Sequence, residues 1–132
     1  MLIDQNEYIA RYMGLGQKIF EYCRIWDADR ETLLFYNIHE IPIEHRRKIR
    51  THPIGMPDDE GTQIYQGDVL RLVFDTPQGE MILKGAVRSQ GVYCCGVDFI
   101  RDGKIDEEDG MYIDEPYIKQ KNIIGNVFEG WE

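Results

Sequence analysis

The stretch Gly55-Met-Pro-Asp-Asp-Glu-Gly-Thr-Gln-Ile-Tyr-Gln-Gly-Asp-Val-Leu-Arg-Leu-Val-Phe74 combines a turn signal with a strand signal. Asp58, Asp59 and Gly61 predict a turn, because short acidic side chains bond nearby backbone groups and glycine accepts a positive φ at no steric cost. The residues from Val69 onward are mostly β-branched, aliphatic or aromatic, and they predict a strand. We expect Leu70, Leu72 and Phe74 on a buried face and Val69, Arg71 and Val73 on a partly wet face.

The apolar run that begins at Ile64 is interrupted by Gly67 and Asp68. A glycine inside a strand pattern usually marks a bulge or a bend, and small barrels need such corners. We interpret Asp68 as an acceptor of backbone hydrogen bonds that fixes this bend. Together with the turn signals that follow, the pattern predicts a mainly β fold with α+β character at its margins: a small SH3-like, partly open antiparallel β-barrel with one or two short helices.

The order of turn, Ile64-Tyr65, Gly67-Asp68 and alternating strand resembles the signature of the YopX family, small proteins encoded mainly by phages and prophages. Ile54 and Gln66 stand where most members carry Thr and Glu. Arg24-Ile25-Trp26-Asp27 and the closing segment from Ile123 to Glu129 are similar to the family as well. The resemblance implies a β-rich domain, often oligomeric, with no assigned activity. It implies these structural signature residues: Trp26, Gly55, Asp58, Gly61, Ile64, Tyr65, Gly67, Asp68, Gly125 and Asn126.

The length of 132 residues suits one domain, with an N-terminal helical extension over 1–17 and the YopX-like β-rich part over 18–132. Capping signals predict a helix from Gln5 to Met13, and Pro42 with a Glu44–Lys48 pair predicts a short basic helix from Ile43 to Arg50. Turn-punctuated strands are expected over 18–26, 32–36, 80–88, 92–100 and 122–128. Residues 101–110 are expected to form a solvated acidic loop and 112–117 a short edge segment. Tyr93, Cys95, Val97 and Phe99 are expected to point inward.

The formal net charge of −9 opposes nonspecific attraction to nucleic-acid or membrane phosphates. All of the acidic excess lies after Thr51, because eight cations before it are matched by eight carboxylates. Cys23, Cys94 and Cys95 lack Cys-x-x-Cys spacing and predict reduced core cysteines. The chain shows no signal-peptide pattern at Met1, so the sequence predicts a protein of the bacterial cytoplasm.

Residues 98–109 can be aligned with a twelve-residue calcium-binding EF-hand loop, and residues 102–109 resemble its second half. Ile100 offers no side-chain oxygen at position three, and Asp109 is shorter than the bidentate Glu usual at position twelve, so we interpret the segment as a solvated acidic loop. His39, His45 and His52 are spaced too widely to form a zinc pair on one helix face, and we interpret them as exposed or capping residues. One serine, Ser89, lies in a turn signal without a nucleophile motif. We therefore predict no metal, no cofactor and no catalytic residue.

The leading hypothesis is a non-enzymatic phage or prophage accessory protein that acts through protein–protein contacts, as a homo-oligomer and with a host or phage partner. The surplus of Tyr and Trp suits interface anchors. One alternative is a small barrel that binds nucleic acid through Arg46, Arg47, Lys48 and Arg50, although the acidic remainder opposes it. Another is an acidic decoy surface for a basic host protein, formed by Asp102, Asp106, Glu107, Glu108 and Asp109.

Overall fold

The computed structural model describes residues 20–88, 96–113 and 116–131, and most of them lie in antiparallel β-strands. The first five strands are β1 Tyr22–Asp27, β2 Thr32–Asn37, β3 Arg50–Thr51, β4 Pro53–Pro57 and β5 Gln63–Tyr65. The next five are β6 Asp68–Thr76, β7 Gly79–Val87, β8 Gly96–Arg101, β9 Lys104–Tyr112 and β10 Ile118–Asn126. The predicted mainly β, antiparallel class is confirmed. The sheets formed by these residues do not close into a barrel.

The chain divides into two compact units, Met1–Tyr65 and Gln66–Glu132, which are described separately below. The boundary falls beside Gly67, where the sequence predicts a bend. Strand β5 ends at Tyr65 and belongs to one sheet, whereas β6 begins at Asp68 and belongs to another. Gly67 lies between them with φ +87°, a conformation that favours glycine. The predicted interruption is therefore a complete break between strands.

The first unit contains a three-stranded sheet of order β2-β1-β3 and a two-stranded sheet of β4 and β5. Strands β1 and β2 form the expected hairpin, with the turn over residues 28–31. Cys23, Ile25 and Ile41 form a buried cluster beside it. Trp26, which also lies on β1, is half-buried and does not belong to this cluster.

The predicted helix from Ile43 to Arg50 is wrong. Only Ile43–His45 is helical, as a single 3₁₀ turn. The Trp26 amide donates to the Ile49 carbonyl at 3.0 Å, and Arg50 pairs with Ile25 in the sheet. An eight-residue helix is marginal in water, so these pairings with β1 outweigh the local helical signal.

The second unit contains a five-stranded sheet of order β10-β6-β7-β8-β9. Strands β6, β7 and β8 correspond to the predicted central strand and to the two strands expected after it. Strand β9 extends this antiparallel run, and β10 returns to pair with β6. Strand β6 is covered on both faces, since Val69 and Val73 are buried like Leu70 and Leu72. The expectation of a partly wet second face holds only for Arg71, which is half-buried.

The expected acidic loop over 101–110 is wrong, because most of it belongs to β9. Asp102 and Gly103 form a two-residue hairpin turn with φ of 54° and 75°, which suits the right-handed twist of paired strands. Tyr112 ends β9, and the described residues of 112–117 beyond it form turns. Val97 is buried and Phe99 half-buried, as expected for an inward face. The predicted helix 5–13, the turn at Ser89, Tyr93, Cys94 and Cys95 lie outside the described residues.

Candidate functional site

The basic segment, defined as Arg46, Arg47, Lys48 and Arg50, does not present four free cations. The Lys48 ammonium donates to Asp27 Oδ1 at 2.9 Å and lies 3.8 Å from Asp29 Oδ2. The Asp27 side chain is 3% exposed, so this ion pair is fixed in the first unit. The hydrogen bond from Lys48 holds the pKa of Asp27 below its ordinary value and raises the pKa of Lys48.

Arg46 is also engaged, because its Nε donates to the Ile41 carbonyl at 3.3 Å. Arg47 and Arg50 are exposed, and neither forms an ion pair within the described part of the chain. Two guanidinium groups without an ion pair, on a protein with a net charge of −9, give only weak electrostatic attraction to a phosphate backbone. The geometry therefore disfavours nucleic-acid binding by this segment.

The three histidines occupy different local environments. The His39 amide donates to Asn37 Oδ1 at 2.9 Å, and the exposed His39 side chain lies beside a turn. The His45 ring packs on the Tyr36 ring, with 5.7 Å between ring centres. Burial, followed by the charge of Arg50, lowers the pKa of His52. Among the residues of known placement, no three His, Cys, Asp or Glu side chains are arranged to hold a metal ion.

The acidic segment, defined as Asp102, Asp106, Glu107, Glu108 and Asp109, lies on the β8–β9 hairpin. Phe99 alone separates Asp98 from Ile100 on β8, whereas residues 106–109 separate their partners Gly110 and Ile105 on β9. The four consecutive acids therefore form an irregular bulge of four residues opposite one. Asp109 pairs with Arg101, and Asp106 Oδ1 accepts from the Glu108 amide at 3.1 Å. Glu107 and Glu108 are exposed.

The signature residues of the first unit have structural roles. Asp58 is buried, and its Oδ1 accepts from the amides of Glu60 at 3.0 Å and Thr62 at 2.9 Å. Gly61 and Gly55 supply the positive φ that this turn and β4 require. Ile64 is fully buried. Tyr65 is 1% exposed, and it lies edge-on to Phe35 with the Arg24 guanidinium 5.0 Å from its ring centre.

The signature residues of the second unit close its sheet. Gly67 donates to the Val87 carbonyl and accepts from the Val127 amide, and the buried Asp68 pairs with Asn126 in β10. Asn126 Oδ1 caps the final turn by accepting from the amides of residues 128 and 129. A Cβ at Gly125 would lie 2.2 Å from the Gly130 carbonyl oxygen, so this position needs glycine. These contacts explain the motif without a ligand.

Sequence reasoning did not single out the exposed apolar residues of the second unit. Met81 and Ile82 are 45% and 55% exposed on neighbouring positions of β7. Tyr112 and Tyr117 are 62% and 67% exposed. The sequence does show an apolar triplet, Met81-Ile82-Leu83, between Glu80 and Lys84. Whether these side chains are exposed depends on the order of strands in the sheet, which the sequence alone does not give.

The described residues therefore define a mainly β protein whose distinctive groups lie on surfaces and in turns. Comparison of the chain with protein-family models, with curated proteins and with solved structures finds no match. The YopX resemblance stays a prediction. Within the described ranges no helix has the length and apolar character needed to span a membrane.

Proposed function

We propose that this chain is a non-enzymatic accessory protein, encoded by a phage or prophage, that acts in the bacterial cytoplasm through protein–protein contacts and assembles with copies of itself. It needs no cofactor for this role. The proposal extends the resemblance of residues 54–69 and 123–129 to the YopX family.

The exposed apolar side chains of the second unit carry this proposal. Met81, Ile82, Tyr112 and Tyr117 are each at least 45% exposed. Solvent-exposed apolar patches mark protein–protein interaction sites, and aromatic residues are enriched at the interfaces of protein complexes. The signature residues, by contrast, have their polar atoms engaged in turns, as Asp58 and Asn126 illustrate.

Size-exclusion chromatography with light scattering tests the assembly. The chain mass is 15.5 kDa, and we expect the measured mass to be a multiple of it at concentrations of about 10 to 100 µM. A monomer throughout that range would contradict self-assembly and would leave only contacts with other proteins.

The acidic bulge on β9 supports a second candidate, an acidic surface that captures a basic protein. Glu107 and Glu108 are exposed and form no ion pair within the described segments, unlike Asp109. We expect a lysine-rich peptide to bind the native protein at low salt and to lose affinity when Asp106, Glu107 and Glu108 become amides. The matched control neutralises Glu40, Asp59 and Glu60 of the first unit. An equal loss of peptide affinity in both variants would show that net charge, and not the acidic bulge, causes the binding.

A further inference from the structure

Two cationic residues lie side by side in the middle of the five-stranded sheet. Arg71 of β6 and Lys84 of β7 are directly opposite each other in the register of these strands, and we call them the cation pair. Asn122 of β10 lies opposite Arg71 on its other side. Residues opposite each other in antiparallel strands direct their side chains to the same face. The three side chains therefore form a row across three neighbouring strands.

The spacing within the cation pair is the shorter of the two that antiparallel strands allow. The Arg88 amide donates to the Gly96 carbonyl, so the backbone groups of Arg88 face β8. Backbone groups alternate in direction along a strand, and no register shift interrupts β7, so those of Lys84 face β8 as well. Lys84 and Arg71 are therefore a non-hydrogen-bonded pair, with Cα atoms about 4.5 Å apart.

The side chains of the cation pair form no ion pair and no hydrogen bond within the described residues, because the nearest carboxylates are engaged elsewhere or lie far away. Asp98 of β8 is diagonal to the pair, but it accepts from Arg88 Nε at 2.7 Å. Glu80 Oε2 lies 3.3 Å from Lys119 Nζ. Asp75 lies on the same face of β6, four residues or about 13 Å along the strand.

Like charges directly opposite each other destabilise a sheet unless something neutralises them. At the β8–β9 turn, Arg101 and Lys104 are also directly opposite, and there Asp109 pairs with Arg101. The Arg71–Lys84 pair has no such partner, although it lies in the half of the chain that holds all the acidic excess. Where a sequence breaks a local rule in this way, the reason is often a binding site. Arg71 is half-buried and Lys84 is exposed, so a dissolved anion can reach both.

We propose that Arg71 and Lys84, with the Asn122 amide beside them, bind a phosphate group. Arginine binds phosphate oxygens as a planar fork and lysine binds them as a point charge. A phosphate monoester carries about −1.5 to −2 charges at pH 7, which matches two cations better than a carboxylate does. The net charge of −9 opposes the approach of anions, so we expect weak binding, with a dissociation constant of about 1 mM. This site does not depend on self-assembly.

Titration of the full chain with inorganic phosphate, followed by backbone amide NMR signals, tests the site. We expect the signals of residues 70–72 and 83–85 to shift along one saturable curve, and sodium chloride at equal ionic strength to leave them in place. Arg71→Gln and Lys84→Gln are each expected to raise the dissociation constant about tenfold, because each removes a charge-assisted hydrogen bond. Arg47→Gln, an exposed arginine of the first unit, is the matched control and keeps the native constant.

A parallel titration with glycerol phosphate distinguishes two sources of the phosphate group. Glycerol phosphate that binds as tightly as inorganic phosphate, or more tightly, assigns the site to phosphate esters. Glycerol phosphate that binds about tenfold more weakly assigns it to free phosphate. In both cases we expect Arg71→Gln to weaken the binding.

Urea unfolding followed by circular dichroism gives an independent measurement. A ligand that binds only the folded chain lowers the unfolding equilibrium constant by one plus the ratio of its concentration to the dissociation constant. At a phosphate concentration ten times the native dissociation constant, we expect a decrease of about tenfold for the native protein and about twofold for Arg71→Gln. Phosphate also stabilises proteins in general, by exclusion from their surface, and that effect is the same in both proteins.

Three results would overturn the phosphate site. The first is the absence of a saturable shift up to about 50 mM phosphate, well above the expected dissociation constant. The second is a saturable shift that neither Arg71→Gln nor Lys84→Gln weakens, which would place the anion elsewhere. The third is equal stabilisation of the native protein and both variants by phosphate. A monomer in light scattering would contradict self-assembly and leave this site standing.

Discussion

At the scale of single residues, Asp58 shows how a motif that resembles a family signature acts as local structure. Its buried carboxylate accepts two backbone amides across the turn before β5. Asp58→Ala leaves those donors unpaired, and we expect a loss of about 1–3 kcal/mol in the free energy of unfolding. Urea unfolding of the native protein, Asp58→Ala and Asp58→Asn measures it. Asn keeps an oxygen that can accept the two amides. If Asp58→Asn lowered the free energy of unfolding as much as Asp58→Ala does, these hydrogen bonds would not be the reason for the loss.

Gly125 is constrained by space and not by its backbone angle. A methyl group there would overlap the Gly130 carbonyl oxygen and the Trp131 backbone. We therefore expect Gly125→Ala to destabilise the protein by about 3 kcal/mol or more, because backbone atoms must move. Gly103→Ala, where the added group meets nothing within 4 Å but φ is +75°, is the matched comparison and should cost about 1 kcal/mol.

The Asp27–Lys48 pair predicts a pH dependence of stability. The folded pKa of Asp27 lies below its ordinary 3.8, so its contribution is present above that pH and is lost as the pH falls through the folded value. Lys48 has a raised pKa, so its contribution is present below its ordinary 10.5 and is lost as the pH rises further. We expect Lys48→Met to be less stable than the native protein near neutral pH, and the difference to shrink on acidification. A constant difference across acid pH would contradict the pairing.

At the scale of elements, the edge strands differ in how they avoid association. The acidic bulge of β9 keeps charge on an edge that would otherwise offer free backbone groups. Changing Asp106, Glu107 and Glu108 to Asn, Gln and Gln is expected to increase aggregation, measured by light scattering during incubation. The amide variants of Glu40, Asp59 and Glu60 carry the same charge change away from this edge, so scattering that rises equally in them would point to net charge alone.

Sequence predicted the elements whose signals are local. The hairpin β1–β2 and the turn at Pro77-Gln78 follow from alternation and turn residues that lie within a few positions of each other. The helix over 43–50 failed because its competitor, β1, lies far away in sequence. The acidic strand β9 failed because Asp and Glu have low strand propensity, although the Asp102-Gly103 turn signal was present.

The candidate surfaces needed the sheet order as well. The sequence placed Lys48 in a basic cluster, but its partner Asp27 is 21 positions away. The exposure of Met81 and Ile82 on β7 likewise depends on its neighbouring strands, because β8 pairs with β7 only from Lys84 onward. Long-range pairing decides which charges are free and which edges are exposed, and no window of sequence contains that information.

At the scale of the whole molecule, net charge bears on the nucleic-acid alternative. The protein carries −9, and within the basic segment only Arg47 and Arg50 lack a described partner for their side chains. We expect no complex with single- or double-stranded DNA at about 0.15 M salt, measured by fluorescence anisotropy of a labelled oligonucleotide. Retained binding that disappears in the Arg47→Gln, Arg50→Gln double variant would instead restore the nucleic-acid hypothesis.

The chain has two tryptophans, and each compact unit holds one of them: Trp26 on β1 and Trp131 after β10. Both are half-buried, so their emission should shift when their surroundings unfold. Trp26→Phe leaves a spectroscopic reporter in the second unit alone, and Trp131→Phe leaves one in the first. Coincident melting of the two variants would mark one cooperative domain, as the sequence predicts, whereas separate transitions would mark two.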